Sequence, residues 1–162
     1  MTRKPPPRLR TFDYIGFHRY FLTICTRDRS RVFIEAAAVA SVAAQLLRVA
    51  DTERFSIISY CFMPDHVHAL VEGIHDASDF THFVRIFKQE SAFHWRRTTG
   101  RILWHRSYFD RVLRDHADTM SVVRYILENP VRAGLVTQPQ DYPYLGSMTG
   151  TVADLLFSVQ MR

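Results

Sequence analysis

Two β-rich apolar runs, Phe55 to Phe62 and His66 to Glu72, are separated only by Met63-Pro64-Asp65. A parallel pair needs a crossover of a dozen or more residues, so a three-residue connection joins antiparallel neighbours. The segment predicts a β-hairpin and an antiparallel sheet around it. Alternate strand residues share a face, which sets His66 and His68 side by side with Cα atoms about 6.6 Å apart and turns Val67 toward a core. Two imidazoles so placed suit joint ligation of one metal ion. Paired histidines also serve as plain hydrogen-bonding residues on half-exposed strands, and spacing alone leaves both readings open. Glu72 has the same parity but lies about 13 Å along the strand from His68, a poor third ligand.

The flanking pattern extends this hairpin into a fold. Tyr20 to Thr26 is a first strand, followed by the charged turn Arg27 to Arg31. Glu35 to Asp51 carries apolar residues at three-and-four spacing and predicts a helix. A second helix runs from about Ser78 to Arg97, with Phe80, Phe83, Val84 and Phe87 in one stripe; Tyr108 to Arg114 reads as a fourth strand and Asp118 to Glu128 as a third helix opening at an Asp cap. The order β-α-β-β-α-β, then helix, predicts an α+β, ferredoxin-like split β-α-β sandwich: an antiparallel sheet with helices on one face, plus a C-terminal helix. Residues 1–14 read as a basic extended arm, 15–145 as the domain, and 146–162 as a tail, with Gln138 to Arg162 mostly irregular. At 162 residues and 47% apolar composition, one domain can bury its core without staples. Cys25 and Cys61, both in apolar runs and lacking Cys-x-x-Cys spacing, read as reduced core thiols.

Charge points to the partner. Of 21 Lys and Arg, eight fall in residues 1–31 and eight in 85–114, windows that hold only Asp13, Asp28, Glu90 and Asp110 as acids. Such segregation suits a polyanion, the plainer alternative being a solvated basic face. No apolar run approaches the roughly eighteen residues of a membrane span, and the N-terminus carries Arg3, Lys4 and three prolines instead of a signal-peptide core. The expected location is cytoplasmic, beside the nucleoid.

Tyr125 and Asn129 supply a second constellation. Four residues apart on a helix, they stack on one face about 6 Å apart along the axis. The apolar residues Met120, Val122, Val123, Ile126 and Leu127 centre on another side, so Tyr125 is off the core stripe. A tyrosine there can act as a nucleophile or a stacking group, although on position alone boundary packing outweighs catalysis. Asn129 can offer an amide oxygen to a metal, or, preceding Pro130, cap a following helix.

These pieces occur in one order: Tyr-Phe-Leu-Thr-Ile-Cys-Thr at 20–26, Tyr-Cys-Phe-Met-Pro-Asp-His-Val-His at 60–68, Phe-Lys-Gln at 87–89, Leu-Trp-His-Arg-Ser-Tyr-Phe-Asp-Arg-Val-Leu-Arg-Asp at 103–115, and Arg-Tyr-Ile-Leu-Glu-Asn-Pro-Val-Arg-Ala-Gly-Leu-Val at 124–136. The chain in this respect resembles the REP-associated tyrosine transposases, the single-tyrosine branch of the HUH nucleases, from about Arg3 to Tyr144. That resemblance implies a ferredoxin-like fold, metal ligation by His66 and His68, Tyr125 as nucleophile, and Asn129 in the place of a polar third ligand. Imidazoles with an amide oxygen, and no thiolate positioned to favour zinc, suit Mg2+ or Mn2+.

The implied activity is cleavage and strand transfer of single-stranded DNA at hairpin-forming, REP-like palindromes through a 5′-phosphotyrosine intermediate. On this picture Arg3, Lys4, Arg8 and Arg10 track phosphates beside the hairpin, while Lys88, Arg96 and Arg97 meet its stem. A non-catalytic ferredoxin-like nucleic-acid-binding module and a metal-dependent phosphodiesterase using water are the alternatives. Monomer and homodimer are both compatible with the resemblance.

Overall fold

The computed structural model describes residues 9–160, so Arg3, Lys4 and Arg8 lie outside the described residues, and Arg10 is exposed near their start. β1 (Arg19–Cys25) alternates strictly, with Tyr20, Leu22 and Ile24 buried and Phe21, Thr23 and Cys25 half-buried on the opposite face. α1 (Ala36–Thr52) follows, then β2 (Phe55–Met63) and β3 (His66–Gly73) as the expected hairpin, Met63 pairing with His66 across Pro64 and Asp65. α2 (Phe80–Thr99) begins at Asp79, whose carboxylate accepts from the His82 amide, and stops at Gly100 in the left-handed region. β4 (Phe109–Leu113) and α3 (His116–Arg132) complete the predicted order.

The sheet runs β4-β1-β3-β2-β5, where β5 is the two-residue strand Leu145–Gly146, with every neighbouring pair antiparallel. This is the predicted α+β arrangement with one short strand added at the edge. On one face Tyr20, Leu22, Ile24, Val67, Ala69 and Val71 pack against the α1 and α2 stripes. There Tyr20 and Phe80 stack with ring centroids 3.9 Å apart. Each such buried aromatic or aliphatic side chain contributes about 1.5–3 kcal/mol. On the other face Cys61, Met63, Leu70 and Leu113 meet Val122, Val123, Ile126 and Leu127 of α3. A bulge between Ile57 and Ser59 switches which residues of β2 serve each face. An extra residue reverses the alternation, so Phe55 and Ile57 before it and Phe62 after it serve the first core, while Cys61 and Met63 serve the second.

Three local expectations are corrected. α3 starts earlier than Asp118, because the Asp115 carboxylate takes the cap by accepting from the Asp118 amide at 2.8 Å. It also runs past Asn129-Pro130 without a break, so Asn129 caps no following helix. Pro130 removes one amide donor, but it is buried in the helix, and the Ala133 amide still reaches the Asn129 carbonyl at 3.0 Å. Finally, the stretch from Gln138 is not mostly irregular. It holds β5 (Leu145–Gly146) and α4 (Val152–Gln160). A helix that short depends on tertiary packing more than on propensity; Val152, Leu155, Leu156 and Val159 supply it against α3, and Arg124 donates to the Val159 carbonyl at 2.6 Å. Among the described residues no helix is long and apolar enough to cross a membrane.

Gly73 ends β3 with its amide on the His18 carbonyl, and a methyl group there would overlap the Gly16 carbonyl oxygen and press on Ser78 Cβ at 3.1 Å. Backbone cannot yield as a flexible side chain can. Gly73→Ala is therefore expected to cost about 1–3 kcal/mol of stability, read as a lower urea midpoint at unchanged slope.

Candidate active site

His66 and His68 project from β3 on the α3 face, because Val67 and Ala69 take the other face into the first core. Their Nε2 atoms converge to 3.1 Å. Each remaining ring nitrogen has its own partner: His66 Nδ1 meets Asp65 Oδ1 at 2.7 Å, and His68 Nδ1 meets Thr23 Oγ1 at 2.8 Å. Thr23 stands directly opposite His68 in the β1–β3 register. Asp65 is held in turn by Arg29 Nε at 2.8 Å, while Arg29 Nη1 donates to Cys25 Sγ.

Hydrogen-bond chemistry fixes how the imidazoles face each other. An ionised carboxylate only accepts, so neutral His66 carries its proton on Nδ1 and turns a lone pair on Nε2 toward its neighbour. The Thr23 hydroxyl can donate or accept, which lets His68 adopt either tautomer. Both rings favour the neutral state. Burial, with the charges of His66, Arg132 and Arg29 adding to it, pushes His68 down to about 3. Burial also lowers His66, against the opposing pull of Asp65. For Asp65 burial acts upward, but hydrogen bonding and charge from His66 and Arg29 hold it below the ordinary carboxyl value.

The pair fits a divalent ion. Adjacent ligands around an octahedral ion with bonds of about 2.1 Å lie about 3.0 Å apart, close to the observed 3.1 Å between the Nε2 atoms. Partnered outer nitrogens and neutral rings are what such ligation requires. Among the described residues no third His, Cys, Asp or Glu completes the set, which leaves an amide oxygen or solvent for further positions. Glu72 instead pairs with Arg19 Nε at 2.7 Å.

Tyr125 faces this pair within the same chain. Its ring lies 5.4 Å from that of His68 and 5.5 Å from that of Phe21, and Phe21 is 5.3 Å from His68, a triangle of rings in tilted and edge-on contact. Tyr125 keeps 38% of its surface open. The Arg132 guanidinium covers part of it, with Cζ 4.2 Å from the ring centroid. Asn129, half-buried, follows one turn after Tyr125 on α3.

The remaining predicted residues sit elsewhere. α2 packs on the opposite face of the sheet, where Lys88 Nζ donates to the His105 and Arg106 carbonyls, both at 2.9 Å. Its ammonium thus ties down the loop before β4, and burial lowers its pKa. Arg96 and Arg97 are exposed in the last turn of α2, Arg97 over the Phe93 ring at 5.7 Å. Cys25 is not a core thiol but half-buried on the histidine side beside Arg29, whereas Cys61 is fully buried and pushed up to about 12 by that burial. Sequence reasoning passed over Thr23, Asp65, Phe21 and Arg132. Strand parity could have flagged Phe21 and Thr23. Arg132 lies seven residues, close to two helical turns, after Tyr125, a signal hidden by ending the helix at Glu128.

Comparison with known proteins bears on this geometry. A family model described as "Transposase IS200 like" matches residues 17–129. A Haemophilus influenzae protein provisionally named as a REP-associated tyrosine transposase is 26% identical over 143 residues, covering 82% of this chain and 81% of its own length. The REP-associated tyrosine transposase of Escherichia coli is 24% identical over 132 residues, covering 81% of this chain and 77% of its own. The structure of a REP-associated tyrosine transposase bound to a REP hairpin superposes with a TM-score of 0.72 at 23% identity, over 86% of this chain and 82% of that one. At that identity the likeness demonstrates a shared fold.

The depressed His68 has a consequence for stability. Above its ordinary pKa of 6.5 the ring is neutral folded or unfolded, and below it only the unfolded chain takes up the proton. Unfolding free energy should therefore fall as pH drops from about 6.5 toward about 3, this one group contributing up to about 1.4 kcal/mol per pH unit. Denaturant titrations across that window should show a shallower slope in His68→Asn than in the parent chain.

Proposed function

The chain belongs to the IS200-like transposase family, and from that premise we propose that it cleaves and rejoins single-stranded DNA beside hairpin-forming, REP-like repeats through a 5′-phosphotyrosine intermediate. The family is one of DNA-processing enzymes. The observation that carries the finer reading is the Tyr125 ring 5.4 Å from the ring of His68 in the same chain, with the two histidine Nε2 atoms converging beside it.

In the proposed reaction the Tyr125 oxygen attacks the scissile phosphorus. A tyrosyl O–P bond forms as the P–O3′ bond breaks, and the phenol proton ends on the departing 3′ oxygen. The reverse attack by a 3′ hydroxyl rejoins strands. One phosphoester replaces another, so no nucleotide hydrolysis is needed. His66 and His68 would hold Mg2+ or Mn2+ through Nε2, with the Asn129 amide oxygen as a third donor; when bound, the ion would relieve negative charge on the phosphate. Asp65 and Thr23 orient the two rings for that task.

Substrate preference follows the same reading. Relatives include an enzyme solved on a REP hairpin, and the basic residues of this chain suit a duplex stem flanked by single strand. Arg10, Arg96 and Arg97 are exposed and available to phosphates, Arg3, Lys4 and Arg8 add positive charge just before Arg10 in the sequence, and Lys88 acts by holding the loop at His105 and Arg106. Since Tyr125 faces histidines of its own chain, a monomer suffices for the chemistry.

Incubation of labelled hairpin DNA carrying a single-stranded foot with the protein and Mn2+, followed by denaturing electrophoresis, tests the assignment. The parent chain should leave a covalent protein–DNA band. Tyr125→Phe should leave none while binding DNA within about threefold of the parent, a small cost for one hydroxyl. Free cleaved DNA without an adduct would instead mark a water-using phosphodiesterase. Removal of residues 1–10 should weaken hairpin binding and reduce the slope of log affinity against log salt by about 3, the share of four lost phosphate contacts.

A further inference from the structure

We propose that Arg132 is a positioning residue that clamps the Tyr125 ring against the histidine pair and so sets the direction from which the phenol oxygen approaches the phosphate. The inference rests on the reading of Tyr125 as nucleophile and adds a residue to it. On its sheet side the ring meets Phe21 and His68. On the open side a half-exposed tyrosine would be free to change rotamer. The Arg132 guanidinium stands there, its Cζ 4.2 Å from the ring centroid, while one of its nitrogens, Nη2, donates to the Tyr125 carbonyl at 3.1 Å. Both ends of the clamp are thus fixed to the same residue two turns back along α3.

The contact is not explained by charge pairing. Among the described residues Arg132 forms no ion pair with a carboxylate, unlike Arg19, Arg29, Arg48 and Arg111. A planar guanidinium stacks on an aromatic face where a lysine ammonium cannot. Holding a nucleophile in one orientation is worth much in rate, since a misplacement of about 1 Å can cost about a hundredfold.

The test compares Arg132→Ala, Arg132→Lys and Tyr125→Phe in adduct formation on the hairpin substrate with Mn2+. Three quantities are read: the single-turnover rate at saturating DNA, the DNA dissociation constant, and the melting temperature. Arg132→Ala should slow the saturated rate by about 10–100-fold with DNA affinity little changed, and added methylguanidinium should restore part of that rate. Arg132→Lys, charged but not planar, should recover the rate only in part. An undiminished saturated rate in Arg132→Ala, or a loss confined to DNA affinity, overturns the proposal. If Arg132→Ala melts below the assay temperature, Arg132→Lys decides alone, and a full rate in it has the same meaning. An adduct that persists in Tyr125→Phe removes the nucleophile assignment itself, an outcome separate from any result with Arg132.

Discussion

The register of β1 against β3 is the constraint on which the site depends. It sets Thr23 opposite His68 and Cys25 opposite His66, so one alignment fixes both imidazoles and the hydroxyl that orients one of them. A slip of one residue would turn every side chain to the other face, burying the histidines among α1 and α2 and exposing Val67. The apolar alternation of Tyr20, Leu22 and Ile24 against Val67, Ala69 and Val71 prevents that slip. The hydrophobic core on the α1 and α2 face thereby helps to position a polar site on the opposite face of the sheet.

The second layer has a different logic. The α3 helix presents an apolar side to Leu70, Cys61 and Met63 and leaves Tyr125 at its margin, between the packed stripe and open solvent. A side chain on a helix anchored over four turns is better held than one on a loop. α4 extends that anchoring, since its apolar side covers more of α3 and Arg124 binds its last turn. Structural support and Tyr125 thus lie on one rigid element.

Much of this was legible in the sequence for identifiable reasons. Short connections and clean periodicity gave the strand and helix order, and the hairpin turn at Pro64-Asp65 put His66 and His68 on one face. Tyr125 stood off the apolar stripe of its helix, and the half-exposed ring in the structure agrees. What escaped were features decided by tertiary context. The Ile57–Ser59 bulge has no Gly or Pro to mark it. Asn129-Pro130 has the local signature of a boundary, yet burial of Pro130 carries the helix through. α4 has too few residues to announce itself without the surface that it covers. Lys88 read as a free cation, and only the folded chain brings two carbonyls from beyond α2 to its ammonium.

The outermost strands determine how the molecule meets copies of itself. β5 spans only Leu145–Gly146, and β4 is five residues long with the exposed Arg111 at its centre. Unpaired strand margins invite further strands to add, and brevity and charge are the usual defences. Among the described residues neither border of this sheet offers a long uncharged template, so copies of the protein at high local density run little risk of growing into a continuous ribbon of sheets.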